Sequence, residues 1–259
     1  MKTITWNLNR ATESRRRAWE LLEREDPDLA CLQEVGRIPA RIRECYHCHV
    51  PFAAQAWSKT AVLSRGPIDA APYLASELGW VNRIAADLAG WIAPCRTTLP
   101  SGEEYRVISV GVPFWSIAPE QYAGVDVSPI KLRQNPELWY HDILYGLLRD
   151  AGISDDANWL VAGDFNSSLL LDEPKPRGNR ENIERLGALG LTDCLSHFHG
   201  RPVPTFQHAS KTVRHQLDYC YVNAPLLDRL QLARVPDQAE VFGPRPRLSD
   251  HLPIVCEFK

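Results

Sequence analysis

Asn158-Trp159-Leu160-Val161-Ala162 followed by Gly163-Asp164-Phe165-Asn166 is an apolar run of strand length ending in a carboxylate and a carboxamide two residues apart. Gly163 permits a backbone bend at the strand exit without a Cβ penalty, and Phe165 is expected to point inward and anchor the loop. Asp164 and Asn166 can then turn into one cleft. An Asx-turn closing a strand accounts for the same four residues, so their meaning depends on what the other strand ends carry.

The 259 residues fit one large α/β domain or two small ones, and a 44% hydrophobic composition sustains a substantial core. Strands and helices alternate early, with hairpin-like pairs between, and there is no internal repeat or low-complexity linker. The Pro/Arg-rich segment 234–247 reads as a long loop that returns to a core strand. A single domain over 1–259 is expected. The net charge of −3 argues against a protein held on long duplex DNA by charge alone. It leaves room for a nuclease, because a metal ion and a few arginines can supply local positive charge. Seven cysteines at irregular spacing predict reduced thiols in a cytoplasmic protein. No apolar leader precedes the first strand and no run reaches transmembrane length, so no membrane partner is expected.

Residues 2–8 alternate Ile4, Trp6 and Leu8 with Thr3, Thr5 and Asn7, the period of a half-buried strand, and exit through Asn7-Leu8-Asn9. Thr12 or Ser14 is positioned to cap a helix that Pro27 stops, and Arg15, Arg16 and Arg17 read as its solvated face. Asp28 to Gln33 is the next strand, with Glu34 at its end. Thr60 to Arg65 and Tyr105 to Val112 read as strands, while 66–104 places strands only loosely. Asn135-Pro136 has the composition of a helix start, with Trp139, Ile143 and Leu147 on one face and Gly152 at the end. A polar loop over 172–179 precedes a helix through Ile183, Leu186 and Leu189. Gln216 to Val222 and Leu252 to Phe258 are the late strands.

The strand ends share one chemistry. Asn7 and Asn9 close the first strand, Glu34 the second, and Asp164 and Asn166 a middle one; Asp218 lies in Gln216-Leu217-Asp218-Tyr219, and Ser249-Asp250-His251 precedes the last. Each alone is ordinary turn chemistry, but five such coincidences select a function. Hard oxygen donors without a cysteine or histidine cluster suit Mg²⁺ or Mn²⁺. An aspartate backing a histidine fixes its tautomer and supports an imidazolium. Together they describe phosphoester hydrolysis. Cys45-Tyr46-His47-Cys48-His49 invites a zinc reading, but structural zinc needs four ligands and no second pair lies nearby; a strand with two thiols is the expectation.

Trp6-Asn7-Leu8-Asn9, Leu32-Gln33-Glu34, Gly163-Asp164-Phe165-Asn166, Leu217-Asp218-Tyr219 and Ser249-Asp250-His251 resemble, in this order, the motifs of the endonuclease/exonuclease/phosphatase superfamily. Thr60 to Ile68 resembles its strand leading into Ser-Arg-x-Pro-Ile, and Gly190-Leu191-Thr192-Asp193 its Gly-Leu-x-Asp turn. The resemblance spans essentially the whole chain. It implies an α/β fold, a four-layered sandwich of two mixed sheets packed face to face with outer helices, with the site at one sheet edge. It also implies Glu34 as principal metal ligand with Asn7, Asn9 and Asp250 in or near the metal shell. Asp164 would orient or deprotonate the attacking water, Asn166 would hold a phosphate oxygen, and Asp218 and His251 would form the Asp–His pair. One position departs: Gly111 stands where many members carry a phosphate-contacting Tyr or His, and Trp115, Tyr122 and His141 are the nearby candidates to replace it.

The expected activity is a Mg²⁺- or Mn²⁺-dependent phosphodiesterase, first of all a nuclease, endonucleolytic or exonucleolytic, acting on DNA or RNA. Arg65, Lys175, Arg177, Arg180, Arg245 and Arg247 are cations for a phosphate track, although charged loops are normally solvated. Trp115, Phe206 and Phe242 are aromatics able to stack on bases. A phosphatase or phosphodiesterase for a small-molecule or lipid-headgroup phosphate is the alternative, and a catalytically silent binding module a third. The residues give no sign of an obligate protein partner.

Overall fold

Strand β1 (Lys2–Ala11) alternates as its sequence predicts, yet both of its faces are buried, Thr3 and Thr5 as completely as Ile4 and Trp6. The computed structural model describes residues 1–51, 59–70, 74–173 and 175–259, and its layering explains the double burial. Helix α1 (Arg16–Glu25) carries the chain back to β2 (Leu29–Val35), parallel to β1 with Thr3 opposite Leu29 and Asn7 opposite Gln33. α2 (Ala40–Cys45), β3 (His47–His49) and β4 (Ala61–Ser64) follow, the two strands extending the sheet beyond β2.

β5 (Ile68–Asp69), α3 (Gly79–Ala85), β6 (Ile92–Thr98) and β7 (Glu104–Gly111) begin a second sheet. Helix α4 (Tyr140–Asp150) crosses from β7 to β8 (Asn158–Asp164), again a parallel neighbour. After α5 (Asn179–Ala188) come β9 (Thr192–Asp193), α6 (Cys194–His199) and a hairpin of β10 (Phe206–Gln207) and β11 (Val213–His215). β12 (Asp218–Val222) lies antiparallel to β8. α7 (Ala224–Leu227), β13 (Leu230–Arg234), α8 (Gln238–Phe242) and β14 (Ile254–Phe258) return to the first sheet, where β14 pairs with β1.

The two large sheets run β13-β14-β1-β2-β4-β3 and β5-β6-β7-β8-β12-β9. Each holds a parallel pair joined by a helical crossover, as parallel neighbours require. They stack through a core containing Cys31, Val62, Cys95, Leu160, Cys220, Ile254 and Cys256. The outer face of the first sheet packs Trp6 and Leu8 against Trp19 and Leu22 of α1. That of the second packs Trp159 and Val161 against Ile143 and Leu147 of α4. This is the four-layered α/β sandwich that the family resemblance implies. All seven cysteines are free thiols. No described helix is long and apolar enough to cross a membrane.

Several sequence expectations are corrected. The threonine face of β1 meets the second sheet, not water; Gln33 Nε2 donates to Ser109 Oγ at 3.0 Å and reaches Thr5 Oγ1 at 3.4 Å, while Thr3 Oγ1 is buried without a hydrogen-bond partner among the described residues. Neither Thr12 nor Ser14 caps α1; their hydroxyls bond each other at 2.8 Å and Arg15 occupies the cap position. Arg15 is not simply solvated, since its guanidinium donates to the carbonyls of Leu8 and Leu248. Helix α4 starts at Tyr140, not at Asn135-Pro136. The Asn135 side chain is spent on Glu137 N and Arg177 O, and Trp139 is held as a bridge to Ser116, while Asp142 accepts from Trp139 N at 2.8 Å. Segment 234–247 contains α8, and Cys45 ends a helix instead of lying in a strand with Cys48. Residues 71–73 of the loosely placed 66–104 region and Pro174 of the polar loop lie outside the described residues.

Candidate active site

The ends of β1 and β2 meet the end of β8 at one edge of the sandwich. Asn7 sits 1% exposed between the sheets, and its Nδ2 donates to Glu34 Oε1 at 3.2 Å and to Asp164 Oδ2 at 3.0 Å. One amide thus ties a carboxylate from each sheet into the same wall. Asn7 Oδ1 accepts from Asn9 N, and Asn9 Nδ2 donates to Asp250 Oδ1, both at 2.9 Å. Ser249 Oγ donates to the Asn7 carbonyl at 2.6 Å, locking the segment before β14 onto the β1 exit.

The backbone is unusual where these side chains converge. Asn9, Glu34 and Asn166 have φ of 45°, 48° and 47°. Asparagine tolerates this left-handed region, but for Glu34 it is a strained conformation of the kind that gathers at functional sites. Gly163 is required twice over: its φ is 151°, and a Cβ there would lie 1.8 Å from the Val110 carbonyl oxygen. The bend it permits lets Phe165 insert among Tyr219 and Tyr221, with ring centroids 5.6 and 5.2 Å away. Asp164 Oδ1 accepts from Asn166 N at 2.9 Å, and Asn166 Nδ2 is shared between Val112 O at 2.9 Å and Asp164 Oδ2 at 3.3 Å.

Asp218 opens β12 directly opposite Asp164. Its Oδ2 lies 2.8 Å from His251 Nδ1, which fixes that nitrogen as the donor, and it also accepts from Thr205 Oγ1 at 2.6 Å. The other nitrogen, His251 Nε2, faces Asp164 Oδ2 at 3.9 Å. Trp6 Nε1 donates to the His251 carbonyl at 2.8 Å, and the Phe206 ring lies 4.9 Å from the imidazole.

Charge is concentrated here in a dry setting. Burial pushes the Asp164 carboxyl up and Asp218 adds to this, while His251, the Asn166 N–H and the Asn7 amide oppose it, leaving it at about 7. Burial disfavours the His251 imidazolium, but the Asp218 and Asp164 charges outweigh that and raise the ring to about 10. Asp164, Asp218 and His251 present ligand-competent atoms all within 4.8 Å of one another. With Nδ1 committed to Asp218, the donors left along the wall are the oxygens of Asn7, Glu34, Asn9, Asp164 and Asp250. Arg10 approaches Glu34 only to 3.9 Å, its side chain 62% exposed. An oxygen-rich, acid-dominated wall of this kind fits a hard divalent cation.

Gly111 lies beside this wall. A Cβ there would meet Gln33 and Thr60 only at ordinary distances of 3.5 Å or more, so sterics do not enforce the glycine. The space is a small cleft whose lining includes Asn7, Glu34, Asp164, Trp91 and Phe114. Trp115 stands behind it, edge-on to Trp91 at 5.6 Å and to Phe114 at 5.3 Å. Tyr122 packs in the outer helical layer. His141 is buried, and its Nε2 donates to the Phe165 carbonyl at 2.6 Å. Arg177 lines a larger cavity that reaches Asn166. Arg65 is not brought to the site: it follows β4 at the opposite end of the sheet, paired with Asp26 and over the Tyr46 ring at 4.1 Å. Phe242 is buried in the outer core under α1.

Thr205, Ser249, Trp91 and Phe114 are the site residues that sequence reasoning passes over. Ser249 lies within a recognised motif that assigns roles only to Asp250 and His251, whereas Thr205 and Phe114 lie in stretches with no periodicity or motif to single them out.

Residues 4–251 match the Endonuclease/Exonuclease/phosphatase family, and the chain belongs to it. That makes it a member of a family of phosphoric ester hydrolases. Among solved structures, it resembles an AP endonuclease from Archaeoglobus fulgidus with a TM-score of 0.69 at 19% identity, covering 100% of this chain and 99% of the other. A 3′ phosphatase from Neisseria, bound to product DNA hairpin, gives 0.69 at 20% identity, with 100% and 99% covered. The catalytic domain of Xenopus laevis APE2 gives 0.70 at 17% identity, with 100% and 92% covered. At these identities the likeness is one of fold. No curated protein sequence matches the chain.

Proposed function

We propose that the protein is a Mg²⁺- or Mn²⁺-dependent phosphodiesterase that acts as a nuclease on DNA or RNA. The observation that carries the reading is the facing of Asp164 and His251 across 3.9 Å, with Asp218 behind the imidazole and Glu34 joined to Asp164 through Asn7. Glu34, Asn7 and Asp250 would hold the metal, with Asn9 supporting them. A divalent ion bound there would neutralise charge on the phosphoryl oxygens.

The chain's own groups divide the remaining work. Asp164, raised to about 7, is basic enough near neutral pH to accept a proton from the attacking water. His251, raised to about 10, stays protonated there, so it presents an Nε2–H and a positive charge to the phosphoryl oxygen where negative charge develops. Asp218 orients that ring through Nδ1 and supports its positive charge. Asn166 orients Asp164 through its backbone N–H and Nδ2; its amide reaches a phosphate oxygen by releasing the 3.3 Å contact to Asp164.

Nucleic acid as substrate is supported by the family and by neighbours that include an AP endonuclease and a DNA-bound 3′ phosphatase. Arg177, which lines the cavity that reaches Asn166, is the substrate-facing cation of this reading, and Trp115 supports the cleft-lining Trp91 and Phe114 from behind. Seven free thiols suit a reducing, cytoplasmic compartment.

A substrate panel tests the proposal: single- and double-stranded DNA, RNA, an abasic duplex, inositol phosphates and bis-p-nitrophenyl phosphate, each with Mg²⁺, Mn²⁺ or EDTA. Metal-dependent cutting of polynucleotide by the wild type and not by His251→Ala is expected. Activity confined to inositol phosphates would replace the nuclease with a phosphatase.

A further inference from the structure

Beside the catalytic wall lies a cavity of about 430 Å³ between the segment preceding α4 and the segment that enters α5. It adjoins the chemistry through Asn166, which lines it and binds Asp164. Its volume falls in the range of small-ligand sites and is far too small for a duplex. Its walls include the Trp139 indole, Leu132, Leu171 and, at the rim, the Phe114 ring, which is 64% exposed.

The polar groups of the lining are of mixed kind. The side-chain amides of Gln134 and Asn166 line the cavity, each with a donor and an acceptor, whereas the Trp139 indole N–H is buried, without a partner among the described residues. The imidazole of His141 donates through Nε2 to a carbonyl, which can only accept. Burial holds that ring neutral by lowering its pKa to about 4, so Nδ1 carries a lone pair. The charged residues of the lining are one cation, Arg177, and one acid, Glu137. A polyphosphate finds no cage of cations here. A neutral, planar group with both donor and acceptor edges fits.

We propose that this cavity binds the unpaired base of the nucleotide adjoining the scissile phosphodiester, so that the protein selects single-stranded or extrahelical nucleotides. The inference rests on the nuclease reading and specifies its substrate. Aromatic walls supply stacking that any base can use. A base still paired and stacked in a duplex cannot enter, so the nucleotide must be single-stranded or flipped out, as enzymes acting on bases require. Arg177 at the mouth is placed to meet the flanking phosphate.

The test uses single-stranded oligonucleotides in which one tetrahydrofuran abasic residue is walked past the cut site, with wild type, Leu171→Trp and Phe114→Ala. Leu171 and Phe114 are exposed, so neither change burdens folding, and circular dichroism checks this. Stacking of one base predicts a KM rise of about tenfold when the base is deleted at one position next to the cut, and little effect elsewhere. Leu171→Trp, which fills the cavity, should impair the intact oligonucleotide and erase that positional penalty; Phe114→Ala should shrink it. A penalty spread evenly along the strand, or one unchanged in Leu171→Trp, overturns the proposal.

A second arm needs no catalysis. In EDTA, saturation-transfer NMR with deoxynucleoside 5′-monophosphates should show contact at the base protons with wild type and lose it with Leu171→Trp. If bis-p-nitrophenyl phosphate is hydrolysed and no oligonucleotide is cut, the nuclease reading fails, and this arm alone judges the cavity. Base signals lost in Leu171→Trp uphold the cavity as a base site, and their absence in wild type overturns it.

Discussion

Thr205 donates its hydroxyl to Asp218 Oδ2 at 2.6 Å, the same oxygen that lies 2.8 Å from His251 Nδ1. Its own oxygen accepts from Leu217 N and Asp218 N, so one threonine fixes both the backbone and the carboxylate behind the imidazole. Thr205→Val keeps the shape and removes the hydroxyl. Loss of a positioning hydrogen bond of about 1–1.5 kcal/mol predicts a roughly tenfold lower kcat, with KM unchanged. Thr205→Ser should restore the rate. An unaltered kcat in Thr205→Val would remove Thr205 from the positioning of Asp218.

Asp218→Asn should act more severely. The Asp218 charge is the largest influence that keeps His251 protonated. An amide removes it, the ring gives up its positive charge near neutral pH, and kcat is expected to fall by about 10²–10³, the cost of losing a donor to developing charge. Single-turnover rates measured with saturating Mn²⁺ separate this from metal loss; a decrease of less than tenfold would contradict the assigned role.

Glu34 adopts a left-handed backbone, with φ of 48°, that asparagine accepts more readily. Glu34→Asn is therefore expected to raise unfolding free energy by about 1 kcal/mol while turnover falls by orders of magnitude. Urea denaturation in EDTA reads the first and steady-state kinetics the second. A destabilised variant would show that the Glu34 side chain holds the fold together and not the site.

Gly163 carries the opposite expectation. Its φ of 151° and the 1.8 Å approach to Val110 O leave no room for a Cβ, so Gly163→Ala should cost at least about 3 kcal/mol of stability. A wild-type urea midpoint in that variant would mean that β7 and β8 separate easily.

His141 sets a pH dependence of stability. Burial lowers its folded-state pKa to about 4 from the ordinary 6.5, so the unfolded chain binds the extra proton first. The stabilisation is complete above pH 6.5 and is lost as pH falls from 6.5 towards 4, by about 3 kcal/mol in all. Asp164, raised to about 7, has the opposite sign, so the readout is the difference between wild type and His141→Gln. That difference should vanish progressively across this window; parallel curves would contradict it.

The amphipathic strands and the polar strand exits make the fold and most of the candidate site legible in the sequence. Asn7, Glu34, Asp164, Asp218 and His251 each end or begin an element, and the sandwich brings such ends together at one edge. What escapes is what only three dimensions define. The threonine face of β1 looks solvent-facing because a strand does not reveal that a second sheet covers it. Asn135-Pro136 reads as a helix start because a local signal cannot show Asn135 committed to Arg177 O. Arg65 reads as a substrate cation because charge carries no position, and the pairing of β4 with β2 sends it to the far end.

The most direct test of the account is Mn²⁺ binding followed by electron paramagnetic resonance, with cleavage of a single-stranded oligonucleotide measured on the same samples of wild type, Glu34→Gln and His251→Ala. Wild type should bind Mn²⁺ and cleave. Glu34→Gln should bind at least about tenfold more weakly, a loss of roughly 1.4 kcal/mol, and its activity should fall with occupancy. His251→Ala should bind Mn²⁺ like wild type and yet be inactive. Equal binding in Glu34→Gln, or near-normal cleavage by His251→Ala, would contradict a hydrolytic centre built from these strand ends.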